Sequence, residues 1–130
     1  MISHSEVNLP HVKAEVEAVF HDYEAALKRN DLGALDTHFW HSPLATRYGM
    51  TENLYGIEAI RAYRIARDAA KVARRLLHTH ITTFGEDAAV ATTEFVRPGQ
   101  PPGRQTQMWV RFPEGWRIVS AHISLLAQPV

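Results

Sequence analysis

The segment Gly115-Trp-Arg-Ile-Val-Ser-Ala-His-Ile-Ser124, near the end of the chain, decides the fold. Its residues alternate with period two, and successive side chains of a β-strand point to opposite faces of the sheet. One set carries Trp116, Ile118, Ser120, His122 and Ser124, and the other carries Val119, Ala121, Ile123 and Leu125. Because both sets contain apolar residues, we expect both faces to be covered. His122 and Ser124, on one face with Ile118, then predict a polar pocket in a hydrophobic wall.

Upstream of this segment, the second half of the chain keeps the period of strands. The predicted strands are Arg75 to Phe84, Ala88 to Val96, Arg104 to Phe112 and Trp116 to Ala127. Short turns separate the first pair and the last pair, whereas a loop rich in proline and glycine, Arg97 to Gly103, joins the middle two. This part of the chain is therefore expected to form a meander of long antiparallel strands.

The first half of the chain has helical periodicity. We predict a helix capped by Asn8 with Pro10 in its first turn, a short helix from Leu32 to Phe39 capped by Asp31, and a third from Ile57 to Ala70. Leu44 to Tyr48 is predicted as a short strand, and Met50 to Tyr55 as a loop between Gly49 and Gly56. In the third helix Ile57, Ile60, Tyr63 and Ala66 face inward. Its late basic residues are Arg64, Arg67 and Lys71, followed by Arg74 and Arg75; they match the negative end of the helix dipole.

Helices followed by a meander predict an α+β fold in which a strongly curved, mostly antiparallel sheet packs around N-terminal helices and leaves a cone-shaped pocket. The 130 residues suit a single domain, with residues 1–8 as a loose arm. Formal net charge is +0 and cysteine is absent, which argues against nucleic acid, an anionic membrane and thiolate chemistry. No apolar run of about 20 residues and no signal-peptide pattern is found, so a cytoplasmic protein is the default.

The order of elements resembles that of the NTF2-like, SnoaL-like superfamily. Particular blocks are similar to the AtzH-like family: Phe39-Trp40-His41, the stretch from Thr46 to Gly56, Arg61-Ala-Tyr-Arg64 and the stretch from Met108 to Val119. This resemblance extends from about Asn8 to Leu126. It implies an enzyme without metal or other cofactor that converts 1,3-dicarboxyurea to allophanate and CO2, a decarboxylating amidohydrolase of cyanuric acid breakdown. The family's essential tyrosine and arginine fall on Tyr23 and Arg47.

Taken by its position alone, Tyr23 is a core tyrosine on the apolar stripe of the first helix, and Arg47 is a surface or ion-paired arginine. With the resemblance, Tyr23 becomes a proton donor and Arg47 a clamp for a carboxylate. Further substrate-binding candidates, each with a structural alternative, are Trp40, Glu52, Asn53, Arg64, Gln107, Trp109, His122 and Ser124. Gln105, Gln107 and Trp109 share one strand face, and the pattern leaves open whether that face lines the pocket. The spacings of His38 with His41 and of His78 with His80 could hold a metal, but without a carboxylate partner at suitable spacing we expect none.

Three alternatives stay open. The substrate could be another ureido acid, such as one of oxalurate breakdown; the protein could bind a small molecule without chemistry beside a partner amidase; or it could shuttle a proton as a ketosteroid isomerase does. The last needs an acidic base in the cone, for which only Glu52 and Glu94 are suited. The outer face of the sheet suggests a homodimer or a higher homo-oligomer.

Overall fold

A computed structural model describes residues 1–69 and 73–127 of the chain. Its three helices and six strands, within those ranges, follow the predicted order. They are α1 (Pro10–Lys28), α2 (Leu32–Thr37), β1 (Thr46–Tyr48), β2 (Asn53–Tyr55), α3 (Ile57–Ala66), β3 (Arg75–Phe84), β4 (Ala88–Val96), β5 (Gly103–Phe112) and β6 (Gly115–Leu125). The end predicted for the third helix, at residue 70, lies outside the described residues. Residues predicted as a loop form β2 instead, which pairs antiparallel with β1.

The six strands form one curved sheet in the order β2-β1-β6-β5-β4-β3. All neighbouring pairs are antiparallel except β1 and β6, which run parallel. The long strands β3 to β6 are joined by short turns and by the predicted loop, so they form the expected meander. The sheet does not close on itself, and the helices pack on its concave side. The predicted α+β architecture is therefore confirmed.

The start of α1 differs from the prediction. Leu9 rather than Asn8 is the N-cap residue, and it makes no side-chain capping bond. Asn8 has a positive φ of 58°, and its side-chain oxygen accepts a hydrogen bond from the backbone of Thr83 at 2.9 Å. Pro10 does occupy the first turn, where its missing N–H costs nothing. The Asp31 cap of α2 is confirmed, because its carboxylate accepts from the backbone N–H of Ala34.

Residues 1–8 do not form a loose arm. A single 3-10 turn at His4–Glu6 is closed by a capping box from Ser3, and Val7 bridges to Phe84 of β3. The backbone N–H of Gly85 also donates to the carbonyl of Glu6 at 3.0 Å. These bonds fasten the segment to the β3–β4 turn, so α1 begins at a fixed point on the sheet.

A register shift in β6 overturns the predicted facing of its C-terminal half. Ser120 pairs with Met108, but Ile118 pairs with Trp109, so β6 carries one extra residue, Val119, at this point. A bulge of this kind reverses which residues face inward beyond it. Trp116 and Ile118 are buried as predicted, but further along Ala121 and Ile123 are buried. His122 and Ser124 therefore lie on the outer face of the sheet, and their prediction as pocket residues is wrong.

The core lies between the concave face of the sheet and the apolar side of α1. The buried residues of α1 are Val12, Val16, Phe20, Tyr23, Ala26 and Leu27. In α3, Ile57 and Ile60 are buried as predicted, whereas Ala66 is exposed and Arg64 is buried in its place. None of the helices within residues 1–69 and 73–127 has the length and hydrophobicity of a membrane span. Tyr23 and Arg64 are among the buried polar residues of the molecule, and Tyr23 borders a cavity.

Candidate functional site

A cavity of about 510 Å³ opens between α1, the end of α3 and the concave face of the sheet. Its lining combines cationic, amide and phenolic side chains with apolar ones. The described residues that line it are Tyr23, Leu27, Arg47, Met50, Tyr63, Arg67, Asp68, Ala73, Arg74, Arg97, Pro98, Gln100, Gln105, Gln107, Ala121 and Ile123. This volume suits a small molecule.

The register of the sheet orders this lining into rows. Arg47 of β1 lies opposite Ala121 of β6, which in turn lies opposite Gln107 of β5. Two residues further along the strands, Ile123 lies opposite Gln105. Residues two apart on a strand are separated by about 7 Å and share a face. The row of Arg47, Ala121 and Gln107, called the inner row, therefore offers Arg47 and Gln107 to a ligand. The second row, of Ile123 and Gln105 on the same concave face, offers Gln105.

Tyr23 and Arg64 meet at the inner end of the cavity. Arg64 projects from α3, is 3% exposed, and donates from Nη2 to the phenol oxygen of Tyr23 at 2.9 Å. Its guanidinium also lies over the ring of Phe39, with its centre 4.6 Å from the ring centroid. Because a guanidinium only donates, the phenol oxygen is the acceptor here. The hydroxyl hydrogen of Tyr23 is then free to point toward a second acceptor, such as a ligand in the cavity.

Arg47 is held by Glu52. The guanidinium Nη1 donates to Oε1 of Glu52 at 2.8 Å, and both side chains are at most 15% exposed. Burial by itself raises the pKa of the Glu52 carboxyl, but hydrogen bonds from Thr51 and Arg47 outweigh it and hold the pKa below its ordinary value. The carboxylate folds over Gly49, where a Cβ would lie 1.6 Å from Oε1. Only glycine therefore leaves room for this ion pair as it stands.

Arg67 reaches the cavity beside Tyr63. The guanidinium centres of Arg47 and Arg67 lie 4.9 and 5.8 Å from the Tyr63 ring centroid. Nε and Nη2 of Arg67 are buried and have no hydrogen-bond partner among the described residues. Burial, together with the charges of Arg47 and Arg64, lowers the pKa of Arg67. An anion in the cavity would offset both the missing hydrogen-bond acceptors of Arg67 and the cost of burying its charge beside other arginines.

Arg74 and Arg97 lie at the other end of the cavity, on the ring of Phe95. Their guanidinium centres are 4.6 and 5.0 Å from its centroid. Arg74 donates from Nη2 to Glu24 at 2.7 Å and to Gln105 at 2.8 Å. Phe95 in turn lies over Gly103, its partner on β5, where a Cβ would come within 2.0 Å of the ring. Glycine at this position lets the ring lie flat on the sheet and support both arginines.

Gln107 lies on the floor of the inner end, and Trp109 lies directly behind it. The indole N–H of Trp109 donates to Oε1 of Gln107 at 3.0 Å, so the NH₂ group of that amide is the end available to a ligand. The indole is fully buried and meets the ring of Tyr23 edge-on, at 6.4 Å between centroids. Trp109 thus fixes two cavity residues from behind. The open question about the Gln105, Gln107 and Trp109 face is resolved, because that face is the concave one.

The structure therefore sorts the predicted site residues into three groups. Tyr23, Arg47 and Gln107 line the cavity, and Arg64, Glu52 and Trp109 contact those residues from behind. The remaining candidates lie elsewhere: Trp40 stacks on Phe112, Asn53 is exposed on β2, and His122 and Ser124 lie on the outer face of β6. Those four are not brought to the cavity.

Sequence reasoning missed three arginines of the cavity: Arg67, Arg74 and Arg97. The signal for the first two is the basic cluster at and after the end of the third helix, which the sequence alone explains by the helix dipole. No group of three or more potential metal ligands occurs within residues 1–69 and 73–127. Among residues 1–69 and 73–127, the charged groups in and directly behind the cavity are five arginines (47, 64, 67, 74 and 97) and three carboxylates (Glu24, Glu52 and Asp68). They leave two positive charges in excess.

A curved, unclosed six-stranded sheet that packs around three helices, with a cavity in its concave side, is the NTF2-like or cystatin-like fold. A family model described as AtzH-like matches residues 5–129, so the chain belongs to the AtzH-like family. The predicted resemblance is thereby confirmed. No protein of curated function matches the chain.

Solved structures agree with this assignment. A protein of unknown function from Pectobacterium atrosepticum is 53% identical, with a TM-score of 0.96 over 98% of this chain and 100% of its own. A cystatin-like fold protein from Burkholderia xenovorans is 47% identical, with a TM-score of 0.90 over 95% of this chain and 98% of its own. An NTF2-like superfamily protein from Salmonella enterica is 26% identical, with a TM-score of 0.74 over 92% and 94% of the two chains.

Proposed function

We propose that this protein is a decarboxylating amidohydrolase for a small N-carboxylated urea, with 1,3-dicarboxyurea as substrate and allophanate and CO2 as products. The observation that carries the proposal is the buried Arg64–Tyr23 hydrogen bond at the wall of an arginine-lined cavity. It combines a proton donor, a cation that can stabilise the donor's conjugate base, and charges for an anionic substrate. Membership of the AtzH-like family supports the same choice.

The charge of the cavity suits a substrate that carries two carboxylates. For the described part of the chain, five arginines against three carboxylates leave the site with two positive charges in excess. A buried charge without a counter-charge is costly, so an anion that brings two negative charges is favoured in this cavity. The planar guanidinium of Arg47 can donate to a carboxylate, and the NH₂ group of Gln107, in the same row, can donate to the urea oxygen.

The reaction needs one proton and no covalent intermediate. The bond between the leaving carboxylate carbon and the urea nitrogen breaks, its electron pair goes to the nitrogen, and the carbon leaves as CO2. The phenol of Tyr23 gives its proton to that nitrogen, which becomes the NH₂ group of allophanate. Arg64 then stabilises the phenolate through the bond it already makes, and a proton from solvent restores the phenol.

Apolar residues of the lining favour loss of CO2. Leu27, Met50, Ala121 and Ile123 all contribute to the cavity wall. The carboxylate that leaves contacts Arg47, but the apolar wall beside it excludes water, whereas neutral CO2 is not penalised there. As the bond breaks and the proton is transferred, the negative charge moves from that carboxylate to the phenol oxygen of Tyr23, where Arg64 stabilises it, so the barrier is lowered relative to the bound substrate.

The test is to incubate the purified protein with enzymatically generated 1,3-dicarboxyurea and to follow CO2 and allophanate. We expect CO2 release well above the spontaneous rate, and loss of that acceleration in both Tyr23→Phe and Arg47→Ala. Arg104→Ala, on the outer face of β5, is the matched control and should retain it. Binding of the substrate without acceleration would instead indicate a binding protein that acts beside a partner amidase.

A further inference from the structure

We infer that Arg74 and Arg97, both packed on Phe95, form a second anion subsite that makes the cavity select dianionic over monoanionic ligands. The inference deepens the proposed function and rests on it for the identity of the natural substrate. The inner end, with Tyr23 and Arg47, takes the carboxylate that leaves. The Arg74–Arg97 subsite takes the carboxylate that stays.

The first support is that this end of the cavity holds buried cationic N–H groups without acceptors. The side chain of Arg74 is 4% exposed, yet its Nε has no hydrogen-bond partner among the described residues. Nε of the half-buried Arg97 is likewise buried and without a partner. Buried polar groups are nearly always hydrogen-bonded, so groups that border a cavity and lack partners indicate where a ligand supplies acceptors.

The second support is the repulsion between the two guanidinium groups. Both lie on one phenyl ring, and burial together with the charge of Arg74 lowers the pKa of Arg97. Glu24 accepts from Arg74 but makes no salt bridge to Arg97. Glu24 therefore offsets the charge of Arg74 directly, and a bound anion would add negative charge beside both guanidinium groups.

The third support is the distance between the two ends. Arg74 donates to Gln105, which lies two residues along β5 from Gln107 in the row of Arg47. The rows are about 7 Å apart, which is comparable with the separation of the outer oxygens in an extended dicarboxylated urea. A single small dianion can therefore contact both rows, whereas a monoanion can satisfy only one of them.

This division also explains how product could leave. Decarboxylation removes the charge at the inner end, so the product keeps only the carboxylate held by Arg74 and Arg97. Binding that depends on both ends is weaker once one end is lost. A ureido acid with a single carboxylate would be disfavoured as a substrate for the same reason, which separates a dicarboxyurea from the monocarboxylated alternatives.

The inference is tested with ligands that do not react. Glutarate has the same number of chain atoms between its carboxylates as 1,3-dicarboxyurea, and monomethyl glutarate keeps the skeleton but loses one charge. Isothermal titration should show glutarate binding at least about tenfold more tightly to the wild type, equivalent to about 1.4 kcal/mol. Arg97→Gln should remove most of this preference, Arg97→Lys should retain part of it because the charge remains, and Arg104→Gln should leave it unchanged.

Two results would overturn the inference. One is equal affinity of the wild type for the two ligands, which includes the absence of glutarate binding at millimolar concentration. The other is an Arg97→Gln variant that keeps the full preference. Because the titration needs no turnover, its result is independent of the proposed reaction: dianion selectivity without CO2 release would refute only the proposed function, and CO2 release without selectivity would refute only the second subsite.

Discussion

Nη2 of Arg64 donates a 2.9 Å hydrogen bond to the phenol oxygen of Tyr23, and each side chain is at most 5% exposed. The two residues come from different helices, α1 and α3, so the packing of those helices onto one sheet creates the pair. The remaining nitrogens of Arg64, Nε and Nη1, are buried and have no hydrogen-bond partner among the described residues. Because these nitrogens lack partners, burying the Arg64–Tyr23 pair reduces the stability of the fold. Its presence is therefore consistent with a functional role.

Tyr23→Phe should therefore affect turnover and stability by different mechanisms. Loss of the proton donor is expected to lower the rate of CO2 release by at least about a hundredfold. Loss of the acceptor for Arg64 is expected to destabilise the protein by about 1–3 kcal/mol, measured by urea unfolding. Tyr55→Phe is the control, since Tyr55 is exposed and bonds to Tyr48 on β1. Turnover close to the wild-type rate in Tyr23→Phe would refute the role of the phenol.

Glu52→Gln tests whether Arg47 must be held in place. Because hydrogen bonds from Thr51 and Arg47 keep the pKa of Glu52 low despite its burial, its carboxylate is charged at neutral pH. The amide removes that charge, and we expect KM to rise by about tenfold with a smaller change in kcat, because Arg47 binds a carboxylate before the reaction. Glu58→Gln, at an exposed partner of Arg61, should change neither constant.

Gly49→Ala should reproduce the kinetic effect of Glu52→Gln without removing a charge. A Cβ at this position would overlap Oε1 of Glu52 and lie 3.1 Å from Nη1 of Arg47, so the ion pair must shift. Agreement between the two variants in steady-state kinetics would assign the effect to the orientation of Arg47. A normal KM in Gly49→Ala, in a folded sample, would contradict that assignment.

Much of this fold follows from sequence periodicity. β3 and β4 have the predicted bounds, and β5 and β6 start one residue early, because long strands joined by short turns leave few alternatives. The facing of β6 beyond Ile118 did not follow, since a one-residue bulge leaves the alternation of residue types unchanged while it reverses their direction. Pattern alone gives the strand but not its register.

The cavity was only half predictable for a different reason. Tyr23 and Arg47 were identified through the family resemblance, and Gln107 through its strand face. Arg67 lies just after the helix α3, Arg74 lies in coil before β3, and Arg97 lies in a loop. Arginines at such positions are ordinarily expected to be exposed to solvent. What places them inside is tertiary packing on Tyr63 and Phe95, which involves residues far apart in sequence.

Gly103→Ala should destabilise the protein through Phe95. The new methyl group would approach the ring to 2.0 Å, so the ring or β5 must move. Overpacking of this kind costs about 1–3 kcal/mol, which urea unfolding at an unchanged m-value would detect. Gly33→Ala in α2 is the matched control: its Cβ meets Oδ1 of Asp31 at an ordinary 3.7 Å, and we expect a small gain in stability.

Asp36→Asn should alter how stability depends on pH. Hydrogen bonds from Arg61 at 2.7 and 3.0 Å hold the pKa of the Asp36 carboxyl below its ordinary value. Because its folded-state pKa is lowered, the Asp36 carboxylate stabilises the folded protein at pH values above the unfolded pKa of about 4. This stabilisation is lost as pH falls through the folded-state pKa. The wild type should therefore have the higher Tm at pH 7, and the two curves should converge in acid. Asp87→Asn, in an exposed pair with Arg111, should give the smaller difference.

A final pair of variants tests the facing of β6. Ala121 lies between Arg47 and Gln107 in the inner row, so Ala121→Leu should fill the reacting end of the cavity and raise KM by more than about tenfold. His122 points to the outer face, where its ring meets Tyr48 edge-on at 5.7 Å, so His122→Ala should change kcat/KM by less than about twofold. Thermal unfolding of both variants would establish that each is folded. The opposite result, with His122 essential and Ala121 tolerant, would mean that β6 carries no bulge at Val119 and that its alternation continues unbroken from Trp116.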